Sequence, residues 1–465
     1  MKGSRRNSGN TSKKRKKIST TTQEKQTLST NINIINTNHN DDTINQILIL
    51  DNGGCTIKHI TIPVTKNSID IKHDYKSTMN CTATLPHQVT MLIGDEIETK
   101  IQNKSQCIIQ YPLERGYITD LGTQLRIWNR LMNNSTNSNA STTNNNCAVL
   151  LLTQPFTPKV ISTNIDYTLY KDLNVSKVSR RLGASVAASY YIKQQNTSNK
   201  ICLVIDSGFS MTHVIPTYNG YAISKGIKRI NIGGKVLTNV LKQYISYRQW
   251  NMMDDFHIVN EIKEKCCFVM KSEHEFRRVM NDKKACHEMM QQFVLPDFTN
   301  TFEGYILNNE MNEDNQKVTI STERYAIPEL LFHPSDIGIQ QMGLSQTIAQ
   351  SISLVDMQYQ PSLWSNILFI GGNAKFKGIK ERLEIELRSL APDYIEEVNV
   401  IVPDDPIGYT IHAAEELVKI DSEGFVKNFC LDRKDWEEET GKGEDDVWER
   451  FHYDSELFDE GMVLI

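Results

Sequence analysis

The chain lacks any long apolar run. Its longest, Cys147 to Leu152, falls well short of the roughly 20 residues that span a hydrocarbon core, so no membrane-crossing segment is expected. The N-terminus lacks the apolar core of a secretory signal and is basic and polar instead, which argues against secretion. No charge of one sign dominates: 51 Lys and Arg against 56 Asp and Glu leave a net charge of −5, too mild to imply a partner by itself. The nine scattered cysteines contain no CxxC pair, and so read as free thiols of an intracellular protein rather than bridges or zinc ligands. Apolar residues are slightly sparse at 39%, because polar tracts dilute them. The rest of the 465 residues is still enough for a large core divided over two or three lobes. Composition points to a soluble, intracellular, multi-lobed protein and to no particular function.

The polar tracts set the organisation. Residues 1–46 are rich in Ser, Thr, Asn and Lys and cannot bury enough area to offset their conformational entropy. This disordered basic tail carries Lys13, Lys14, Arg15, Lys16 and Lys17, a block that reads as a nuclear-import signal ahead of a nonspecific nucleic-acid contact or a merely solvated charge run. A second tract, 133–146, is almost wholly Asn, Ser and Thr and reads as a surface loop inserted into a lobe. From Asp432 the chain turns acid-rich. Although Trp436, Trp448 and Phe451 stand among the acids, a solvated tail is favoured over a partner-binding segment. The expected division is a first lobe over 47–191, a second over 192–407, a return to the first over 408–431, and the tail 432–465.

One local pattern recurs. The apolar run Ile47 to Leu50 ends in Asp51-Asn52-Gly53-Gly54, Ile201 to Ile205 ends in Asp206-Ser207-Gly208, and Ile367 to Ile370 ends in Gly371-Gly372-Asn373. Each is a buried strand whose C-terminal end carries an acidic or glycine-rich turn, and ligands of α/β proteins gather at such strand ends. Helical patterns lie between, at Gly234 to Tyr247 and Ile379 to Leu390. The fold class is therefore α/β, with two lobes around a cleft. Glycine lets backbone N–H groups approach phosphate oxygens. Asp51 and Asp206 can each hold the water shell of a Mg²⁺ ion, and Lys58 can add a point charge on the phosphates. One such turn is ordinary; three in this order suggest a nucleotide clamp.

These turns, with several further motifs, resemble the actin superfamily from Ile47 to about Ile420. Asp51-Asn52-Gly53 resembles its first phosphate loop, and Asp206-Ser207-Gly208 with Thr212-His213 its second. Gly94-Asp95-Glu96 and Tyr111-Pro112-Leu113-Glu114-Arg115-Gly116 match the landmarks between them. Ile262-Lys263-Glu264-Lys265 matches the helix bordering the nucleotide, and Gly371-Gly372 with Phe376 and Gly378 the adenosine loop. Glu323-Arg324-Tyr325, Pro328-Glu329, Leu331-Phe332 and Pro334-Ser335 match one long signature. The resemblance implies a two-lobed fold with a central nucleotide cleft, each lobe a mixed sheet flanked by helices. It implies ATP or ADP with Mg, bound by Asp51, Asn52, Gly53, Lys58, Asp206, Ser207, Gly208, Lys263, Glu264, Gly371, Gly372 and Phe376, with Asp51 and Asp206 meeting the metal through water.

The departures matter as much. Gly54-Cys55 stands where actin has Ser-Gly, which removes a hydroxyl near the phosphate and adds a side chain where the backbone should approach. Phe209-Ser210 stands where actin has Asp-Gly, placing an apolar ring beside the phosphates. Actin's water-positioning glutamine corresponds to Ser185, so no residue is expected to orient an attacking water, on which phosphoryl transfer depends. His213 remains, although a lone histidine is more often a satisfied core residue. Only five residues separate Gln88 from Gly94, too few for actin's subunit-gripping loop, so no actin-type homopolymer is expected.

The segments Tyr221 to Lys228, Arg229 to Lys235, Tyr247-Arg248-Gln249, Met253-Asp254-Asp255 and Val294 to Phe298 are not actin's and resemble the nuclear actin-related protein 6 family. That resemblance implies a non-catalytic scaffold subunit of a Swr-type chromatin remodeller, which exchanges a variant histone into nucleosomes and influences transcription. The partners would be the remodeller ATPase and other subunits, with nucleosomal histones met indirectly, and the location the nucleus with a cytoplasmic pool. The alternative is an ATPase or small-molecule kinase of the actin, sugar-kinase and heat-shock superfamily. Replacing Lys13 to Lys17 by alanine is expected to abolish nuclear accumulation of a tagged chain; an unchanged nuclear signal would remove the tail from import.

Overall fold

The computed structural model describes residues 44–65, 74–86, 90–135, 146–195, 199–307, 315–441 and 457–458. The N-terminal unit Met1–Asp41 with its basic block, most of the polar insertion, and the tail aromatics Trp448 and Phe451 lie outside the described residues.

The chain begins with β1 (Gln46–Asn52), β2 (Thr56–Pro63) and β3 (Lys76–Met79), then helix α1 (Leu121–Ser135), β4 (Cys147–Thr153), β5 (Lys177–Leu182) and helix α2 (Gly183–Gln195). It continues with β6 (Ile201–Ser207), β7 (Thr212–Tyr218), β8 (Tyr221–Ile223) and β9 (Lys228–Ile230). Helices α3 (Gly234–Arg248) and α4 (Phe256–Cys266), strand β10 (Ile367–Ile370), helix α5 (Ile379–Leu390) and strand β11 (Val400–Ile401) follow. Helix α6 (Tyr409–Ile420), strand β12 (Leu431–Asp432), helix α7 (Arg433–Gly441) and strand β13 (Leu457–Phe458) complete the set used below.

Two mixed sheets result, one per lobe. The first has the order β12-β5-β4-β1-β2-β3, the second β11-β10-β6-β7-β8-β13, with β9 also paired to β7. Both share one plan. A central strand, β1 or β6, turns back antiparallel into the next strand and has a parallel neighbour, β4 or β10, on its other side. The recurrent pattern in the sequence is this duplication.

The apolar runs are continuous because each central strand is covered on both faces. Along β1, Leu48 and Leu50 meet Ile127, Trp128 and Leu131 of α1, whereas Ile47 and Ile49 meet Ile411, Ala414 and Val418 of α6. Along β6, Leu203 and Ile205 face Leu237 and Leu241 of α3 and Leu383 of α5, whereas Cys202 and Val204 face Ala187 and Ala188 of α2. Helix α2 belongs to both halves, since its Val186 joins the first-sheet cluster.

Two motifs singled out in the sequence have structural tasks. A small sheet of Tyr305–Ile306, Gln291–Val294 and Lys317–Ile320 leaves the last strand at its edge. The Gln249 amide donates to Thr319 O at 2.6 Å and accepts from Thr319 N at 2.8 Å, and Trp250 Nε1 donates to Lys317 O at 3.0 Å. These side chains satisfy backbone groups that an open edge would offer to another strand. In the shortened region, Thr84 pairs directly with Met91, leaving only residues 85–90 as a connection.

The acid-rich segment does not begin as a solvated tail. Helix α7 docks on the first lobe, and the Trp436 ring stacks on Tyr170 at 4.8 Å with only 4% of its surface exposed. The aromatic area outweighs the cost of fixing a short acidic helix. Trp436→Ala is expected to lower unfolding stability by about 3 kcal/mol, as truncation of a buried tryptophan does. Urea denaturation measures this, and an unchanged midpoint would return the helix to the solvated tail.

Candidate functional site

A cleft of about 520 Å³ is lined by both halves of the chain and receives all three strand-end turns. It meets Asp51, Asn52, Gly53 and Lys58 from the first sheet and Asp206 and Gly208 from the second. Lys263 and Glu264 from α4, and Gly371, Gly372 and Phe376 after β10, complete the set of expected residues that line it.

The first turn is braced from behind. Asn80 donates through its backbone N–H to Cys55 O and through Nδ2 to Gly53 O, both at 2.8 Å. The Asn52 amide is held by Gln124 and Trp128 of α1, each at 3.2 Å. Asp51 and Lys58 face each other across the β1–β2 ladder, and Lys58 Nζ donates to Asp51 Oδ2 at 2.9 Å. Burial opposes the Lys58 charge, but Asp51 and Asp206 more than offset it and raise its pKa above the ordinary value.

The second turn closes through Gly208 N–H to Met211 O at 3.1 Å and is tied to α3 by Lys235 N–H to Phe209 O at 2.8 Å. Ser207 is fully buried and does not line the cleft. Its hydroxyl pairs with Thr212 Oγ1 at 2.7 Å and accepts from Asn373 Nδ2 at 3.0 Å. Ser207 therefore locks the second turn to the third instead of facing a ligand. At the third turn, Gly371 has φ 93°, and a Cβ there would lie 2.4 Å from Ser207 O, so only glycine fits.

Asp206 occupies the β6 position that faces His213 across the ladder, as Asp51 faces Lys58. Its carboxylate makes no hydrogen bond among the described residues. Burial, reinforced by the Asp51 carboxylate and opposed by the Lys58 ammonium, pushes its pKa from 3.8 up to about 6. Among the described residues no cluster of three metal-ligating side chains exists. Asp206 and its neighbour Asp51 are the residues that would hold a hydrated divalent cation brought in on a phosphate ligand.

Lys263 is less available than its motif implies. All three ammonium donors are engaged, by Gly234 O, Thr238 Oγ1 and Asn260 Oδ1 at 3.2, 2.9 and 2.8 Å, and burial lowers its pKa. It shapes the wall of the cleft. Glu264 accepts from Asn260 Nδ2 at 2.7 Å. Phe209 lines the cleft with its ring between Tyr111 and Phe256, at 6.3 and 5.9 Å. Ser185 is buried in α2 and does not line the cleft, whereas Gly183 does. His213 is not a satisfied core histidine: burial holds it neutral, with a pKa of about 3, and its Nε2 has no partner although the residue borders the cleft.

Sequence reasoning missed Gln154 and Asn260, and named Asn373 only as part of the third turn. Gln154 follows β4, the parallel neighbour of β1, and its buried Oε1 also lacks a partner. The available signal was the polar pair Thr153-Gln154 directly after the apolar run Cys147 to Leu152, the same pattern that marked the three turns.

A two-lobed α/β fold with phosphate-type turns meeting in one cleft is the architecture of the actin class. The actin family model matches residues 43–439, and the chain belongs to the actin family. The chain is 33% identical over 404 residues to actin-related protein 6 of Drosophila melanogaster, covering 85% of this chain and 97% of that protein. It is 33% identical over 352 residues to actin-like protein ARP6 of Yarrowia lipolytica, covering 75% and 87%. It is 30% identical over 475 residues to actin-related protein 6 of Dictyostelium discoideum, covering 85% and 93%.

Because Asp206 binds its proton more tightly folded than unfolded, its contribution favours folding below pH 3.8 and is lost as pH rises through about 6. In ligand-free protein, wild type should lose stability relative to Asp206→Asn between pH 4 and pH 7, by on the order of 1–2 kcal/mol after solvent screening. Paired denaturation curves across that range check it; a constant difference would refute it.

Proposed function

We propose that this chain is a non-catalytic, nucleotide-liganded scaffold subunit of a nuclear ATP-dependent chromatin remodeller of the Swr type, which exchanges a variant histone into nucleosomes and so influences transcription. The observation that carries the non-catalytic reading is the second turn. Phe209 stands in the cleft where the resembling family has an acid, and its ring is held by Tyr111 and Phe256. Ser185, at the water-positioning place, is absent from the lining. The family resemblance of the segments around Arg229, Gln249 and Asp297 supports the remodeller assignment, as do relatives that carry the name actin-related protein 6.

In this reading the ligand is ATP or ADP with Mg. Backbone N–H groups near Gly53 and Gly208 meet the phosphates, Lys58 and the two aspartates balance charge, and Gly371, Gly372 and Phe376 border the adenosine. Asp51 and Asp206 would hold the metal through its water shell, and it would supply neutralisation of phosphate charge. Binding stabilises the folded chain by mass action. The short 85–90 connection supports a chain that joins other subunits, the remodeller ATPase first, rather than copies of itself. The basic block supports import, with a cytoplasmic pool in addition.

A second reading, an ATPase or small-molecule kinase on the same fold, draws on Gln154 Oε1 and His213 Nε2. Both are buried, unpartnered and on residues that line the cleft, and a polar atom without a partner beside the phosphates is what positioning a water requires. Single-turnover phosphate release by the purified chain separates the readings. The scaffold reading expects turnover slower than about once a minute, and co-purification of a remodeller ATPase from nuclear extract. Faster turnover that is abolished by both Asp206→Ala and Gln154→Ala would establish the enzyme instead.

A further inference from the structure

The two phosphate-type turns meet tip to tip. Gly54 is at the tip of the β1–β2 turn and Ser210 at the tip of the β6–β7 turn, and both line the cleft. A Cβ built on Gly54 would lie 2.3 Å from Ser210 Oγ, but 3.4 Å from Phe209 Cδ1 and 3.6 Å from Ser210 Cβ. Only the hydroxyl therefore conflicts with a side chain at position 54. That hydroxyl fills the place a side chain on the first turn would take. It makes no hydrogen bond among the described residues, and its turn is held by Gly208 N–H to Met211 O and Lys235 N–H to Phe209 O. The first turn, Gly53-Gly54-Cys55, offers no hydroxyl of its own.

We infer that Ser210 is a phosphate-binding residue: from the second turn it supplies the hydroxyl donor for the polyphosphate of a nucleoside di- or triphosphate, at the position where the first turn would otherwise present one. As oriented here, the Ser210 hydroxyl occupies the side-chain space of position 54. The loss of a hydroxyl expected from Gly54-Cys55 is thus made good across the cleft. The turn that carries this donor is already held in place when the anion arrives, and a hydrogen bond to a charged phosphate oxygen is among the stronger kinds. This inference rests on the nucleotide reading of the cleft and deepens it by naming one of its contacts.

The two positions form a reciprocal pair, which makes them separable by mutation. Ser210→Ala removes the donor and keeps the turn, and is expected to weaken Mg-ATP and Mg-ADP binding about tenfold in titration calorimetry of the full chain. Gly54→Ala adds only a methyl group, which the hydroxyl can avoid by rotating away. It is expected to leave the melting temperature nearly unchanged while reproducing the affinity loss. Gly54→Ser combined with Ser210→Gly moves the hydroxyl back to the first turn, and is expected to bind within about threefold of wild type, well above Ser210→Gly alone. Wild-type binding with unaltered affinity in Ser210→Ala, or a double variant no better than Ser210→Gly, would overturn the assignment while leaving the nucleotide reading in place. A wild-type chain that takes up neither nucleotide at millimolar concentration overturns both.

Discussion

The meeting of two hairpin turns beside two half-buried carboxylates is the constraint around which the rest of the chain is organised. Each central strand carries an aspartate as its penultimate residue, and each then reverses at once into its antiparallel neighbour. The reversal brings both turns to the edge of one cleft, which residues of each line. Helices α1 and α6 cover the first sheet on opposite faces, and α2 and α3 the second, so the strands cannot shift to relieve the crowding at their ends. A rigid frame thus concentrates unfavourable features, two nearby carboxylates and polar atoms without partners, at one place. That is a common signature of a ligand site.

Charge balance at the cleft is incomplete within the chain itself. Lys58 neutralises Asp51 directly, but Asp206 receives no hydrogen bond and has its pKa raised by burial. Lys263, the other buried cation nearby, is committed to Gly234, Thr238 and Asn260 and offers no free donor. The aromatic contacts of Phe209 with Tyr111 and Phe256 act in the opposite sense and hold this part of the cleft together without a ligand. The cleft therefore combines an incompletely balanced pair of carboxylates with a ring cluster that packs one of its walls.

The main strands and the three turns were legible because a strand covered on both faces must be continuously apolar, and a turn that contacts phosphate must be small. Ile47 to Leu50 and Ile367 to Ile370 show both features in their residues alone. The roles of Ser207 and Lys263 were not legible. A motif records which residue stands at a position, not whether its hydroxyl or ammonium is already satisfied by Thr212, Asn373 or Asn260. Trp436 misled for a related reason: its acidic neighbours describe the exposed side of α7, while the ring is buried against Tyr170.

The sequence by itself determined the elements, their duplication in two halves and the family, since these depend on short-range patterns of apolar runs, glycines and acids. Only the tertiary structure decided which residues lining the cleft carry buried polar atoms without partners, among them Gln154 Oε1 and His213 Nε2, and that the hydroxyl of Ser210 fills the space beside Gly54. Those are relations between residues far apart in the chain. They depend on how two rigid sheets are set against each other, and a difference of one or two ångströms there decides between a hydrogen bond, an open space and a clash.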